Sequence, residues 1–286
     1  MAVSLATARG PFTRHILAGS RATRRLLFPL RGRRKSVLPW PASMARTAGI
    51  ILIGNEILSG KVVDANASYL CRELRALGVE VRKISVIPDE VELIAFEVSE
   101  HSRAFDVVFT SGGVGPTHDD VTIEGVARGL SVPVVRDPRL VRVLEGFHKG
   151  RLNEARLKMA EVPEGAELMA GDELAFPAVV VRNIYVLPGV PEIFRQKFEA
   201  LRERFRESPF YLCSVFINMP EGTLADHLNE LLRRHPELML GSYPELFNAE
   251  YKVKVTLESK DRKYVERAVE DFLQRLPGAA VVRVER

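Results

Sequence analysis

The chain has 286 residues, 46% of them apolar, enough to bury one large core or two smaller ones. Its formal net charge of +4 averages two unlike regions: residues 1–50 hold ten Lys or Arg and no Asp or Glu, so the remainder is acidic by six charges. The basic balance is therefore no argument for a nucleic-acid partner. No window approaches the roughly 20 apolar residues that a membrane span needs, so no membrane insertion is expected.

Arg9, Arg14, Arg21, Arg24, Arg25, Arg31, Arg33 and Arg34, spaced among Leu, Ala, Ser and Thr, have the composition of a mitochondrial transit peptide. Residues 1–46 are read as a removable leader to the mitochondrial matrix, with a cytoplasmic form starting at Met44; the alternative is a disordered leader without an address. Cys71 and Cys213 lack metal-ligand spacing and fit buried thiols in a reducing compartment.

The globular part opens near Thr47 with a continuously apolar run at 48–54, as a strand buried on both faces requires. Residues 66–77 carry Leu70, Leu74 and Leu77 on one helical face, and Gly78 ends that helix. A strand is expected over 80–87, a helix over 89–101 with Val91, Ile94 and Val98 inward, and a strand over 106–110. There follows the string GGVGPTHDDVT at 112–122, then a helical pattern over 123–130. Two helices are expected after Asp137 and Pro138, a hairpin over 178–187 turning at Arg182 and Asn183, and a helix over 192–205. Beyond the break at Ser208 and Pro209 the order is strand 211–219, helix 223–234, strand 238–243, strand 251–259, helix 262–276, strand 280–285.

Strands alternating with helices predict an α/β, three-layer, mainly parallel sheet over residues 47–206. The βαββαβ order of residues 207–286 predicts a small α+β ferredoxin-like domain. Ligands of such parallel sheets sit beyond the carboxyl ends of the strands, where Glu56, Pro88, Asp89 and the 112–120 loop all fall.

The 112–122 string carries the most chemistry. Gly112, Gly113 and Gly115 present no Cβ, so backbone N–H groups around Val114 can approach phosphate oxygens, and the helix that follows turns its positive end to the same place. The carboxylates of Asp119 and Asp120 suggest a divalent cation, which would screen phosphate from carboxylate. Each candidate has a structural alternative. Asp89 with Glu92 reads as a capping box; Asp119 or Asp120 can cap the helix from Thr122; Glu56 is either a ligand or a partner for a nearby backbone N–H. Asp64 and Asn66 read as caps, His118 as a surface residue, and Pro188, Gly189 and Pro191 as a rigid turn before a helix, with backbone contact to a ligand open.

Four strings in this order resemble the molybdopterin-binding (MoaB/Mog-like) domain family as found in CinA-like proteins and at the front of eukaryotic FAD synthases: GNEILSG at 54–60 with Asp64 and Asn66, VIPDE at 86–90, the 112–122 loop, and LPGVPE at 187–192. Residues 207–286, with GSYP at 241–244 and YKVKV at 251–255, resemble the middle domain that follows in FAD synthases. The resemblance does not extend to the FAD-making domain of those synthases or to the amidohydrolase domain of CinA, so neither activity is expected to carry over.

The resemblance implies a nucleotide or pterin-phosphate ligand held by Gly112, Gly113, Val114, Gly115, Thr117, Thr122, Pro188 and Gly189, with Asp89 and Asp120 as catalytic carboxylates. It implies a divalent metal (magnesium, with manganese or cobalt as alternatives) at Glu56, Asp119 and Asp120, and a homodimer or trimer. The leading expectation is a metal-dependent pyrophosphatase that cuts FAD or ADP-ribose to release AMP. The alternatives are a molybdopterin adenylyltransferase and a catalytically silent flavin-nucleotide-binding module.

Overall fold

The computed structural model of the protein describes residues 46–149, 151–169 and 176–286. Apart from Arg46, the expected leader and the alternative start at Met44 lie outside the described residues.

In chain order the first part contains β1 (Thr47–Ile53), α1 (Asn55–Leu58), α2 (Asn66–Ala76), β2 (Glu80–Ile87), α3 (Val91–Ala104), β3 (Val107–Ser111), α4 (Thr122–Gly129), β4 (Val134–Arg136), α5 (Pro138–His148), α6 (Glu154–Lys158), β5 (Glu161–Pro163), β6 (Glu167–Met169), β7 (Ala178–Val181), β8 (Ile184–Leu187) and α7 (Pro191–Leu201). Its main sheet has the order β2-β1-β3-β8-β7-β6. The first four strands run parallel, and β7 and β6 add an antiparallel edge. Arg182, at φ 55°, makes the β7–β8 turn where the hairpin was expected.

The apolar run of β1 has the pattern it needs because both faces of the sheet are covered. Ile50 and Leu52 join Leu70 and Leu74 of α2 and Phe194 and Phe198 of α7 on one side. Ile51 and Ile53 join Ile94 and Val98 of α3, Val126 of α4 and Leu140 and Leu144 of α5 on the other. Strands β4, β5 and β6 were not foreseen: each is three residues long, too short to show a period.

Two predicted caps are corrected. The helix expected from 89 starts at Val91; Glu90 takes the N-cap position with no side-chain bond, and the Asp89 carboxylate accepts from the Asn55 N–H at 2.8 Å instead. Neither Asp119 nor Asp120 caps α4, because Val121 holds that position, again with no side-chain bond. Asp64 does accept from the first-turn amides of Asn66 and Ala67.

The second part contains β9 (Tyr211–Ile217), α8 (Glu221–Arg234), β10 (Met239–Pro244), β11 (Val253–Ser259), α9 (Arg262–Arg275) and β12 (Val281–Glu285). The sheet order β10-β11-β9-β12 is antiparallel throughout, as the βαββαβ reading requires. Val215, Val255 and Leu257 pack against Leu224 and Leu231 of α8 and Val269 and Phe272 of α9 to form its own core. Of the two thiols, Cys213 is buried and Cys71 only half-buried.

Candidate functional site

The carboxyl ends of β1, β2, β3 and β8 lie side by side, so the loops leaving them meet. Gly189, after β8, abuts the loop after β3: a Cβ placed on it would fall 3.3 Å from the Gly112 Cα. Asn66, buried in the first turn of α2, ties the two together by donating to Ser111 Oγ at 2.9 Å and to the Gly189 carbonyl at 2.8 Å. It is thus a brace between loops rather than the cap expected of it.

The glycine loop is held in a conformation that only glycine takes cheaply. Gly112 and Gly113 have φ of 109° and 62°. A Cβ on Gly112 would fall 2.1 Å from the Ile53 carbonyl oxygen, and one on Gly113 would fall 2.4 Å from Thr122 Oγ1. Thr122 is fully buried and latches the turn, its hydroxyl donating to the Gly112 carbonyl at 2.8 Å and its N–H to the Gly113 carbonyl at 3.0 Å. The Gly112 N–H is committed to the Leu187 carbonyl at 3.2 Å, so it is not a free donor. Among the described residues, the N–H groups of Gly113, Val114 and Gly115 have no acceptor.

These residues open onto a cleft of about 850 Å³, within the range of small-molecule sites. Of the predicted site residues, Glu56, Gly112, Gly113, Val114, Gly115, Asp120, Pro188 and Gly189 line it, and Asp89, Thr117, Asp119 and Thr122 do not. Asp120 is the better placed of the aspartate pair: its Oδ2 accepts from the Thr117 N–H at 2.8 Å and from the Thr117 hydroxyl at 2.5 Å, and it lies directly beside Gly115. Asp119 is exposed and pairs with the still more exposed His118 at 3.8 Å. Asp89 stands just behind the loop, with Oδ1 3.6 Å from the position a Gly113 Cβ would take. Among the described residues the Glu56 carboxylate accepts no hydrogen bond, so no backbone partner explains it.

Two lysines complete the cleft and were not anticipated. Lys158, at the end of α6, lines it and donates to the Thr117 carbonyl at 2.7 Å. Lys197, on α7, lines it while 7% exposed, and burial pushes its ammonium down to about 8. Lys158 has no local sequence signal. Lys197 has one: it falls at a core-facing position of an amphipathic helix, on the otherwise apolar face of Phe194, Phe198 and Leu201.

A family model described as a probable molybdopterin binding domain matches residues 49–207, and one described as the FAD synthase middle domain matches residues 209–285. A protein of Archaeoglobus fulgidus is 40% identical over 223 residues, covering 78% of this chain and 95% of its own length. A probable FAD synthase of Caenorhabditis elegans is 33% identical over 264 residues, 82% of this chain and 51% of the synthase, so the chain spans about half the length of that relative. Among solved structures, the CinA protein of unknown function from Thermoplasma acidophilum is similar with a TM-score of 0.52 and 30% identity, over 57% of this chain and all of that one.

Proposed function

The chain belongs to the molybdopterin-binding domain family, and we propose that its cleft binds a nucleotide or pterin phosphate and cuts the phosphoanhydride of FAD or a related ADP-linked dinucleotide such as ADP-ribose, releasing AMP. The observation that carries this reading is the run of unpaired N–H groups at Gly113, Val114 and Gly115 on the cleft wall, with Lys158 and Asp120 on the same wall. Consecutive amides without acceptors form a concave donor array suited to an anion. In a cleft that limits water, such preset donors stabilise charge as it develops on phosphate oxygens.

Two carboxylates on the cleft lining would suit a divalent cation. Among the described residues no three of His, Cys, Asp and Glu form a cage, but magnesium is ordinarily held by one or two carboxylates together with substrate phosphate and water. Glu56 and Asp120 are the carboxylates that would hold it, and the ion would supply neutralisation of the phosphate charge. The chain's own residues do the rest: the loop amides grip the phosphate and Lys158 adds positive charge, while Asp89, which does not line the cleft, holds the Asn55 N–H behind Gly113.

Incubation of the protein with FAD or ADP-ribose and Mg²⁺, Mn²⁺ or Co²⁺, followed by chromatographic measurement of AMP, tests the proposal. Metal-dependent AMP release is the expected result. Transfer of AMP from ATP to molybdopterin would replace it with the adenylyltransferase reading, and tight FAD binding without turnover with that of a binding module.

A further inference from the structure

Lys197 is buried where a lysine is expensive. An ammonium withdrawn from water needs acceptors for three donors, yet among the described residues its Nζ makes one hydrogen bond, 2.6 Å to the Pro177 carbonyl. Burial alone sets its titration, with no carboxylate opposing it. A single acceptor suits the neutral amine better: one N–H donates to the carbonyl, and the lone pair, which cannot face that same oxygen, is left for another partner. The Phe176 ring centre lies 5.3 Å from the nitrogen, and Phe176, Val179 and Ile193 line the cleft together with Lys197. A methionine would fill this space without the desolvation cost, so packing does not account for the amine.

An amine in such surroundings is a nucleophile. With its ammonium lowered to about 8, roughly a tenth of it is neutral at pH 7, against roughly one part in 3,000 for a lysine at its ordinary value. Lysines desolvated in apolar pockets are the ones that attack carbonyl carbons. The apolar wall serves the product as well, because it keeps out the water that would hydrolyse an imine. Lys158 differs: it is half-buried and donates to the Thr117 carbonyl at 2.7 Å, which leaves it a charge beside the loop.

We propose that Lys197 is a carbonyl-capture site, whose Nζ adds to the aldehyde carbon of a small phosphorylated aldehyde held in the same cleft by the amides of Gly113, Val114 and Gly115. The nitrogen lone pair forms the C–N bond as the carbonyl π pair moves to oxygen, and one N–H proton passes to that oxygen to give the carbinolamine. The hydroxyl then leaves with the second N–H proton as water, and an imine remains, with nothing oxidised or reduced. The phosphate half of this ligand class rests on the phosphate-binding reading of the loop; the reactivity of the amine does not.

The test incubates the full chain with one equivalent of pyridoxal 5′-phosphate, follows the visible absorption of the imine, reduces it with borohydride and locates the modified lysine by peptide mass spectrometry. Lys197 is expected to react about 10-fold or more faster than any other lysine at pH 7, from its larger neutral fraction, with a rate that levels off above about pH 8. Lys197→Met and Lys197→Arg should both lose this adduct, and Arg, which keeps the charge, should give no rescue. Pyridoxal, without the phosphate, should bind about 10-fold more weakly, the scale of a lost charged hydrogen bond. Label spread over the lysines without preference for Lys197, or a rate still rising steeply at pH 10, overturns the inference, and the peptide map of the wild type decides this even where a variant fails to fold. Equal capture of pyridoxal and its phosphate would overturn the phosphorylated ligand class. AMP release from FAD with no Lys197 adduct would sink this inference alone, and a Lys197 adduct without AMP release would sink the hydrolase proposal alone.

Discussion

Burial lowers the Lys197 ammonium from its ordinary 10.5 to about 8, so the folded protein holds that proton less tightly than the unfolded chain. Between about pH 8 and 10.5 the unfolded chain binds more protons, and stability contributed by this residue rises with pH across that window. Below pH 8 the penalty is in full force, on the order of 3 kcal/mol. Lys197→Met should therefore raise the urea midpoint at pH 7 and flatten the rise between pH 8 and 10; an unchanged midpoint and slope would show that the charge is solvated. Asp120 separates its two roles in a different way. Asp120→Asn keeps an acceptor for the Thr117 N–H and hydroxyl and removes only the negative charge. The expected outcome is an unaltered unfolding midpoint with metal-dependent AMP release reduced about 10- to 100-fold. Wild-type metal dependence in the folded variant would leave the carboxylate a purely structural element of the turn.

The β3–α4 turn is built as a unit, and its parts should not contribute additively. The Thr122 hydroxyl that latches Gly112 is the atom a Gly113 side chain would strike. Gly113→Ala is expected to cost about 1–3 kcal/mol from positive φ and crowding together. In the Thr122→Ala background, where the crowding atom is gone, the same substitution should cost measurably less, so a double-mutant cycle read by denaturant unfolding should return a non-zero coupling. Strict additivity would mean that the backbone alone sets the penalty. The capping errors belong to this scale too. The string DEVE at 89–92 carries the residue types of a capping box, but the Asn55 N–H lies across the sheet edge from Asp89 and takes its carboxylate, a competition that a one-dimensional pattern does not contain.

At the scale of the molecule the two sheets meet where α2 ends. Lys260 donates to the carbonyls of Gly78 and Ser208 at 2.5 and 2.6 Å, Arg75 pairs with Glu258, and both cations lie against the Phe210 ring. No residue beyond Lys197 lines the cleft. A chain ending near Phe205 should therefore keep the AMP release of the full protein when folded; a folded truncation without turnover would assign residues 207–286 a part in the site. The proposed targeting role of residues 1–46 is tested by fusing them to a reporter. Mitochondrial signal is the expected outcome, and a uniform cytosolic signal would remove the targeting proposal.

The sequence by itself determined the order of the longer elements, the two-sided burial of β1 and the existence of the glycine loop. Each of these is local: a run of apolar residues, a helical period, a glycine where no Cβ fits. Only the tertiary structure decided which groups face one another. Lys158 reaches the loop from 41 residues away, Asp89 bonds an amide 34 residues back, and Asn66 braces a carbonyl 123 residues on. The same packing divides Asp120 from its neighbour Asp119 and buries Lys197 against Phe176. Burial and pairing follow from how α7 and the 112–122 loop pack over the sheet edge, and residue type alone does not encode that geometry.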